Sequence, residues 1–229
     1  MPGLDHAIAQ LSSGGTLLMV LTVALLLGLR HATDPDHLAA VSTLIASDPD
    51  DGSRRAARLG FAWGLGHATT LIAFGLPTVL FNSYLPAVVE QGAETAVGVL
   101  IVGLAIWLLV RWRRGFFHVH AHPHGLGRTR RPLQAFGIGL VHGTGGSAGV
   151  GILLLASIRG HLLALAALAI FAVCTALSMA LLSTGFGRAL ASAPVRASFD
   201  RLAPALALLS LAFGTWYALG ALDLAPYFF

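Results

Sequence analysis

The sequence predicts an all-α integral membrane protein of about six transmembrane helices, and three observations carry that prediction. Charged residues make up only 10% of the 229 positions while 56% are hydrophobic. An average soluble domain is roughly 25% charged, so this chain has too few charges to cover a soluble surface. Nearly uncharged runs recur at 16–29, 97–110, 162–182 and 202–222, and several approach the roughly 20 apolar residues that cross a bilayer. The arginines gather between the runs, where a multi-pass protein keeps its positive charge.

The first span is expected at 15–46, broken by a polar stretch. The second, at 57–81, contains Gly60-x3-Gly64, a spacing of small residues that lets another helix approach closely. The third, at 88–110, ends where Arg111, Arg113 and Arg114 open a polar connection at 111–132. The remaining spans are expected at 133–157, 161–184 and 202–222. Arg54, Arg55 and Arg58 follow the first span, Arg111 to Arg131 the third, and Arg188, Arg196 and Arg201 the fifth; the intervening connections hold only Arg159. The positive-inside rule therefore puts the Arg-rich connections in the cytoplasm of a bacterial-type inner membrane and both termini outside.

All 14 basic residues are Arg and they sit in several loops rather than on one face. The expected partner is thus the lipid bilayer and no nucleic acid. The single cysteine, Cys174, excludes an intrachain disulfide and reads as packing inside a span. Residues 1–16 hold no Arg or Lys, and no small-residue cleavage site follows the first apolar run, so the first span is expected to remain in the mature chain.

The two halves resemble each other. Gly28-Leu29-Arg30-His31-Ala32-Thr33 aligns with Gly139-Leu140-Val141-His142-Gly143-Thr144, each near a polar break in the first span of its half. Three spans separate the copies, so their orientations in the bilayer are opposite. Inverted repeats with interrupted spans are a transporter architecture in which the two breaks meet around the substrate. Residues 1–229 accordingly read as one transmembrane transport domain: repeat 1 at about 15–110, a His- and Arg-rich cytoplasmic loop at 111–132, and repeat 2 at about 133–222. A homo-oligomer is compatible with this organisation.

The chemistry concentrates in His31-Ala32-Thr33-Asp34-Pro35-Asp36-His37. Pro35 cannot sit inside a continuous helix without a kink or break, and Asp34 before it reads as an N-cap with proline at the first helical position. On an unbroken helix His31 and His37 would point about 240° apart. An unwound turn lets both imidazoles, a carboxylate of Asp34 or Asp36 and freed carbonyls converge. Two His and two Asp at membrane depth mark a functional site, and the competing reading is a polar corner at the membrane surface with the acids paired to Arg30.

The pattern His-x4-Asp-His at 31–37, preceded by Gly28-Leu29-Arg30 and followed by Leu38-Ala39-Ala40, resembles the signature of nickel/cobalt permeases. A second element of that family, a Leu-Gly-His-Ser/Thr-like stretch, is matched by Leu65-Gly66-His67-Ala68-Thr69. The resemblance is ordered over residues 28–80. It departs in the second half, where Gly143-Thr144-Gly145-Gly146-Ser147-Ala148-Gly149 replaces the Asp/Thr signatures of the eight-span permeases. That is more similar to the six-span branch, which includes nickel/cobalt exporters and urease-associated transport proteins. The resemblance implies a membrane transporter of Ni²⁺ and/or Co²⁺ as substrate, with no tightly bound cofactor. It implies metal ligation by His31, Asp34, Asp36, His37 and His67, and leaves both directions of transport open.

In the second half, His142, Thr144 and Ser147 are expected to line the pathway with fewer charges. Imidazole and carboxylate without Met clusters or multiple Cys argue against Cu(I), and the histidine content argues against Mg²⁺ or Ca²⁺. Nickel, cobalt and zinc remain, and the resemblance favours the first two. His118, His120, His122 and His124 alternate along 117–125, which in an extended chain puts them on one side, suited to loose metal capture in the cytoplasm. Inward movement of a cation gains about 2.3 kcal/mol per charge per 100 mV, whereas export needs a second driver such as proton exchange.

Two rival readings come from other classes. Gly145-Gly146-Ser147-Ala148-Gly149 satisfies the G-x-S-x-G pattern of a nucleophilic serine, which with His67 or His142 as base makes an intramembrane serine hydrolase. His67 and His142 together could also ligate a haem.

Overall fold

The computed structural model describes residues 2–46, 52–81, 86–114, 131–145, 158 and 160–226. Among the described residues every regular element is an α-helix: α1 (Pro2–His31), α2 (Pro35–Ala46), α3 (Gly52–Phe81), α4 (Ala87–Arg113), α5 (Pro132–His142), α6 (His161–Ala191), the short α7 (Ala193–Ala197) and α8 (Phe199–Ala221). Four of these, α3, α4, α6 and α8, are long and apolar enough to cross a membrane. Leu17–His31 and Pro35–Ala46 are together long and apolar enough for a fifth span, bent by 48° at a break of three residues where the sequence predicts the first span to be broken. Of the expected span at 133–157, α5 supplies 11 residues, about 16 Å of helix, and 146–157 lie outside the described residues. So do His118, His120, His122, His124 and Ser147.

Helix ends run past the expected spans where arginines flank them. α3 begins at Gly52 and α6 continues to Ala191, because Arg side chains reach the interface while the backbone stays helical. The outer surface is apolar, with Leu18, Val88, Leu162 and Leu181 largely exposed, as a lipid-facing surface must be.

Lipid tails are as apolar as leucine, so spans associate through close van der Waals packing at small residues. α3 and α6 run antiparallel along most of their length. A Cβ on Gly60 would collide with Ser183, and one on Gly64 would lie 2.8 Å from the Ala176 backbone. At the other end of the same pair, a Cβ on Gly75 would lie 2.7 Å from Leu168. α4 and α8 pair likewise through Gly98 against Ala218 and Gly214 against Ile101. α1 lies on α6 at Gly28, and α5 lies on α3 at Gly66 and Gly139, whose added Cβ atoms would collide with the carbonyls of Phe136 and Trp63.

The Arg-bearing helix ends lie together. Ala56 of α3 abuts Gly187 of α6, the Trp112 indole donates to the Asp200 carbonyl at 2.8 Å, and one buried cluster joins Ala56, Leu59, Leu108, Leu190 and Phe199. The fold thus gathers the positive charge of α3, α4, α6 and α8 at one end of the bundle.

Candidate metal centre

The centre begins with the break in the first span. α1 stops at His31, and a tight turn follows in which Thr33 N–H donates to the Arg30 carbonyl at 2.8 Å and Asp34 N–H to the His31 carbonyl at 3.1 Å. Pro35 has no N–H for that carbonyl, so the turn satisfies what the missing helical bond leaves open. α2 then starts with Leu38 N–H donating to the Asp34 carbonyl at 3.0 Å, which puts Pro35 at the first helical position as expected. The turn brings the His31 and His37 rings to 4.6 Å between centroids. His31, Asp34, Asp36 and His37 are all buried, at 7% exposure or less. That burial keeps the four side chains from solvent, while Asp34 also meets the largely exposed Arg30 at 3.5 Å, the pairing that the surface-corner reading expected.

His67 and His142 arrive because α3 and α5 touch backbone to backbone. Gly66 and Gly139 permit that contact, and a Cβ on Gly143 would stand 2.8 Å from the His67 carbonyl. The Thr70 hydroxyl also donates to the Leu140 carbonyl at 2.9 Å. Both histidines are fully buried, their rings 5.9 Å apart, with His37 between them at 4.9 Å from His67 and 4.4 Å from His142. No porphyrin fits where His37 stands, which removes the haem reading.

Hydrogen bonds orient the imidazoles. His31 Nδ1 lies 3.2 Å from Asp34 Oδ2, and its Nε2 lies 2.9 Å from His67 Nε2. With His31 Nδ1–H donating to the carboxylate, its Nε2 carries the lone pair that faces His67. His37 Nδ1 lies 3.1 Å from Asp36 Oδ1, which leaves His37 Nε2 as the lone-pair nitrogen. A carboxylate that fixes a histidine tautomer in this way is the usual support of a metal ligand. His142 Nε2 stands 3.3 Å from the other Asp36 oxygen. His37 Nε2 and His67 Nδ1 are buried without a hydrogen-bond partner among the described residues. Each such atom costs about 1–3 kcal/mol in a site with no ligand, so the arrangement is built for something other than stability.

Two overlapping donor sets result. His31, His37 and His67 form one, and Asp36, His37 and His142 the other, each with three ligand atoms within 4.8 Å of one another. Ligands on a tetrahedral ion at about 2.0–2.1 Å stand about 3.3 Å apart, so small rotations about χ1 and χ2 close either set. His37 belongs to both. The donors are imidazole nitrogens and one carboxylate, the set that suits nickel, cobalt and zinc.

Of the residues singled out from sequence, the fold thus joins His31, Asp36, His37, His67 and His142. Asp34 sits behind His31 as its orienting carboxylate. Thr144 donates its hydroxyl to the Val141 carbonyl at 2.7 Å and closes the turn after α5. Two aromatic walls escaped the sequence reading: Phe171 packs 5.5 Å from His31, and Trp63 lies 5.5 Å from His142 and 5.7 Å from His37. Trp63 carried a signal, since it precedes His67 by four residues and so shares its helix face.

Residues 17–193 match the NicO family, described as high-affinity nickel-transport protein. The chain is 29% identical over 152 residues to the urease accessory protein UreH of Bacillus sp. (strain TB-90), a match covering 62% of this chain and 65% of that one. It is 36% identical over 111 residues to the nickel transporter NicT of Mycobacterium tuberculosis, covering 44% of this chain and 29% of the relative. With the cobalt transport protein NhlF of Rhodococcus rhodochrous it shares 31% identity over 87 residues, 38% of this chain and 24% of the relative. The matched part of each relative is therefore under two thirds of its length, and no solved structure matches the chain. Nothing among the relatives supports the serine hydrolase. A matched segment that holds the 31–37 motif, the 65–69 motif and His142 within one helical membrane fold settles the family: this chain belongs to the high-affinity nickel-transport (NicO) proteins.

Proposed function

We propose that the protein moves Ni²⁺ and/or Co²⁺ across the cytoplasmic membrane, with His31, Asp36, His37, His67 and His142 as the transient ligands and Asp34 as the residue that orients His31. The observation that carries this reading is the convergence of four buried histidines and a buried aspartate at the break between α1 and α2. A soluble enzyme has no use for such a cluster inside a span, and a permanently bound structural ion would be held by one complete shell rather than by two sets that share His37. An ion passing from one set to the other needs only the His37 ring to change partners. The relatives named for nickel and cobalt transport favour those ions over zinc.

In this reading the chain has six spans in two inverted repeats, the Arg-bearing ends of the bundle face the cytoplasm, and both termini are external. The packing supports the repeat. If α1, α3 and α4 correspond to α5, α6 and α8, the α1 contact on α6 at Gly28 corresponds to the α5 contact on α3 at Gly139. The His31–Phe171 and His142–Trp63 pairs, both 5.5 Å, exchange in the same way, as do Gly60–Ser183 and Gly75–Leu168.

Radiolabelled nickel or cobalt flux in cells tests the reading. Alanine at His31 or His67 should abolish flux while expression and membrane insertion persist. Wild-type flux in either variant would refute the site.

A further inference from the structure

The hydroxyls of Thr175 and Ser183 are buried without a partner among the described residues and belong to no part of the centre described above; Ser183 packs against Gly60, and Thr175 is the one that lies a turn from Phe171. Thr175 of α6 is completely buried and its hydroxyl has no hydrogen-bond partner among the described residues. A threonine inside a helix ordinarily donates to the carbonyl four residues back, and in this chain Thr69, Thr78, Thr95, Thr184 and Thr215 do so at 2.6–2.8 Å. Thr175 has the Phe171 carbonyl behind it and leaves it alone.

The internal correspondence gives the hydroxyl a place. It pairs Trp63 with Phe171 through their histidine contacts, and four residues on in each helix it pairs His67 with Thr175. The backbone agrees: a Cβ on Gly139 would stand 2.9 Å from the His67 nitrogen, and one on Gly28 stands 3.2 Å from the Thr175 nitrogen. His67 faces His31 of its own half and His142 of the other. Applied to α6, the same operation would set Thr175 beside His142 and His31, and Phe171, one turn earlier, packs 5.5 Å from His31. We propose that Thr175 is a ligand position of the transport site, the second half's counterpart of His67, which offers the ion a neutral hydroxyl oxygen where the first half offers an imidazole. The inference rests on the transport site proposed above.

A neutral oxygen at this position has a physical consequence. It completes a nitrogen- and oxygen-rich shell, congenial to Ni²⁺ and Co²⁺, without a further charge at membrane depth, where each charge is expensive. It is also the weaker of two equivalent ligands, so the ion is held unevenly across the axis that relates the halves.

A thiol reporter tests the assignment in the purified full-length protein in detergent, with Co²⁺ as the probe. Cys174 packs against Gly28, so Cys174→Ala gives a thiol-free parent. In that parent, Thr175→Cys should add a thiolate-to-cobalt charge-transfer band that saturates together with the ligand-field bands, the thiol releasing its proton to solvent as the bond forms. A cysteine at lipid-facing Leu177 should give none. Thr175→Val, nearly isosteric, should weaken Co²⁺ binding about 10-fold, and Thr175→Ser should restore it. Normal ligand-field bands without the charge-transfer band, or unchanged affinity in the valine variant, would overturn the role of Thr175 and leave the histidine site standing. A parent that binds no Co²⁺ would instead remove the site itself, and this assignment with it.

Discussion

The two helix ends, 31–37 after α1 and 142–145 after α5, use one backbone device for different chemistry. Both follow a Gly-Leu-x-His segment, both end a helix on the histidine, and both lie against an α-helix of the opposite half through a glycine that tolerates no Cβ. The first then supplies Asp34, Asp36 and His37 within six residues, all buried. The second supplies His142 and then Gly143, Thr144 and Gly145, with the Thr144 hydroxyl turned back onto its own helix. Charge and donors are thus concentrated in one half, while the other contributes geometry, one imidazole and the backbone contacts that hold His67. One packing device can serve two chemistries because packing in a membrane is decided by side-chain size, whereas ligation is decided by donor atoms. The two requirements fall on different positions of the same helices.

If that division is right, the largest loss follows from His37, the ligand common to both donor sets. His37→Ala should abolish metal flux and purified-protein Co²⁺ binding together, because neither triad survives. Retained binding with lost flux would mean that one set suffices to hold the ion. His142→Ala removes only the second half's imidazole, and should lower flux about 10- to 100-fold while Co²⁺ still binds through His31, His37 and His67. An effect equal to that of His37→Ala would erase the contrast between the halves.

Gly139→Ala probes geometry alone. Its methyl group collides with the Trp63 carbonyl, a backbone atom that cannot rotate away, so α5 must shift from α3 and carry His142 from Asp36. Flux should fall at least 10-fold although every ligand is present, and thermal stability in detergent should fall with it. The mildest change in the first region is Asp34→Asn. The amide oxygen still accepts from His31 Nδ1–H but has no charge, so affinity for Co²⁺ should drop only a few-fold in a direct titration. A loss as deep as that of His31→Ala would make Asp34 a ligand in its own right. Ser147→Ala, outside the described residues, should leave flux unchanged, since the reading assigns the second region no acidic or nucleophilic group there.

The sequence alone determined the membrane class, the break after His31 and most of the residues that gather around it. These are local properties: an apolar run long enough to cross the bilayer declares itself, a proline inside it forces a break at a known residue, and buried His and Asp are costly enough to be informative wherever they occur. His31, Asp36, His37 and His67 were legible for that reason. What the sequence could not decide was which of them meet. His142 lies 106 residues from Asp36, and its place at 3.3 Å from that carboxylate depends on Gly66, Gly139 and Gly143 letting α5 touch α3. Residue type does not announce such a contact, because glycine is common throughout this chain, and glycines with open space beside them, such as Gly92, Gly103 and Gly137, read the same in sequence. The roles of Asp34 and Thr144, and the aromatic walls of Trp63 and Phe171, were decided the same way. Each depends on the direction a side chain takes once two helices are locked together, and that direction is fixed only when the spans pack.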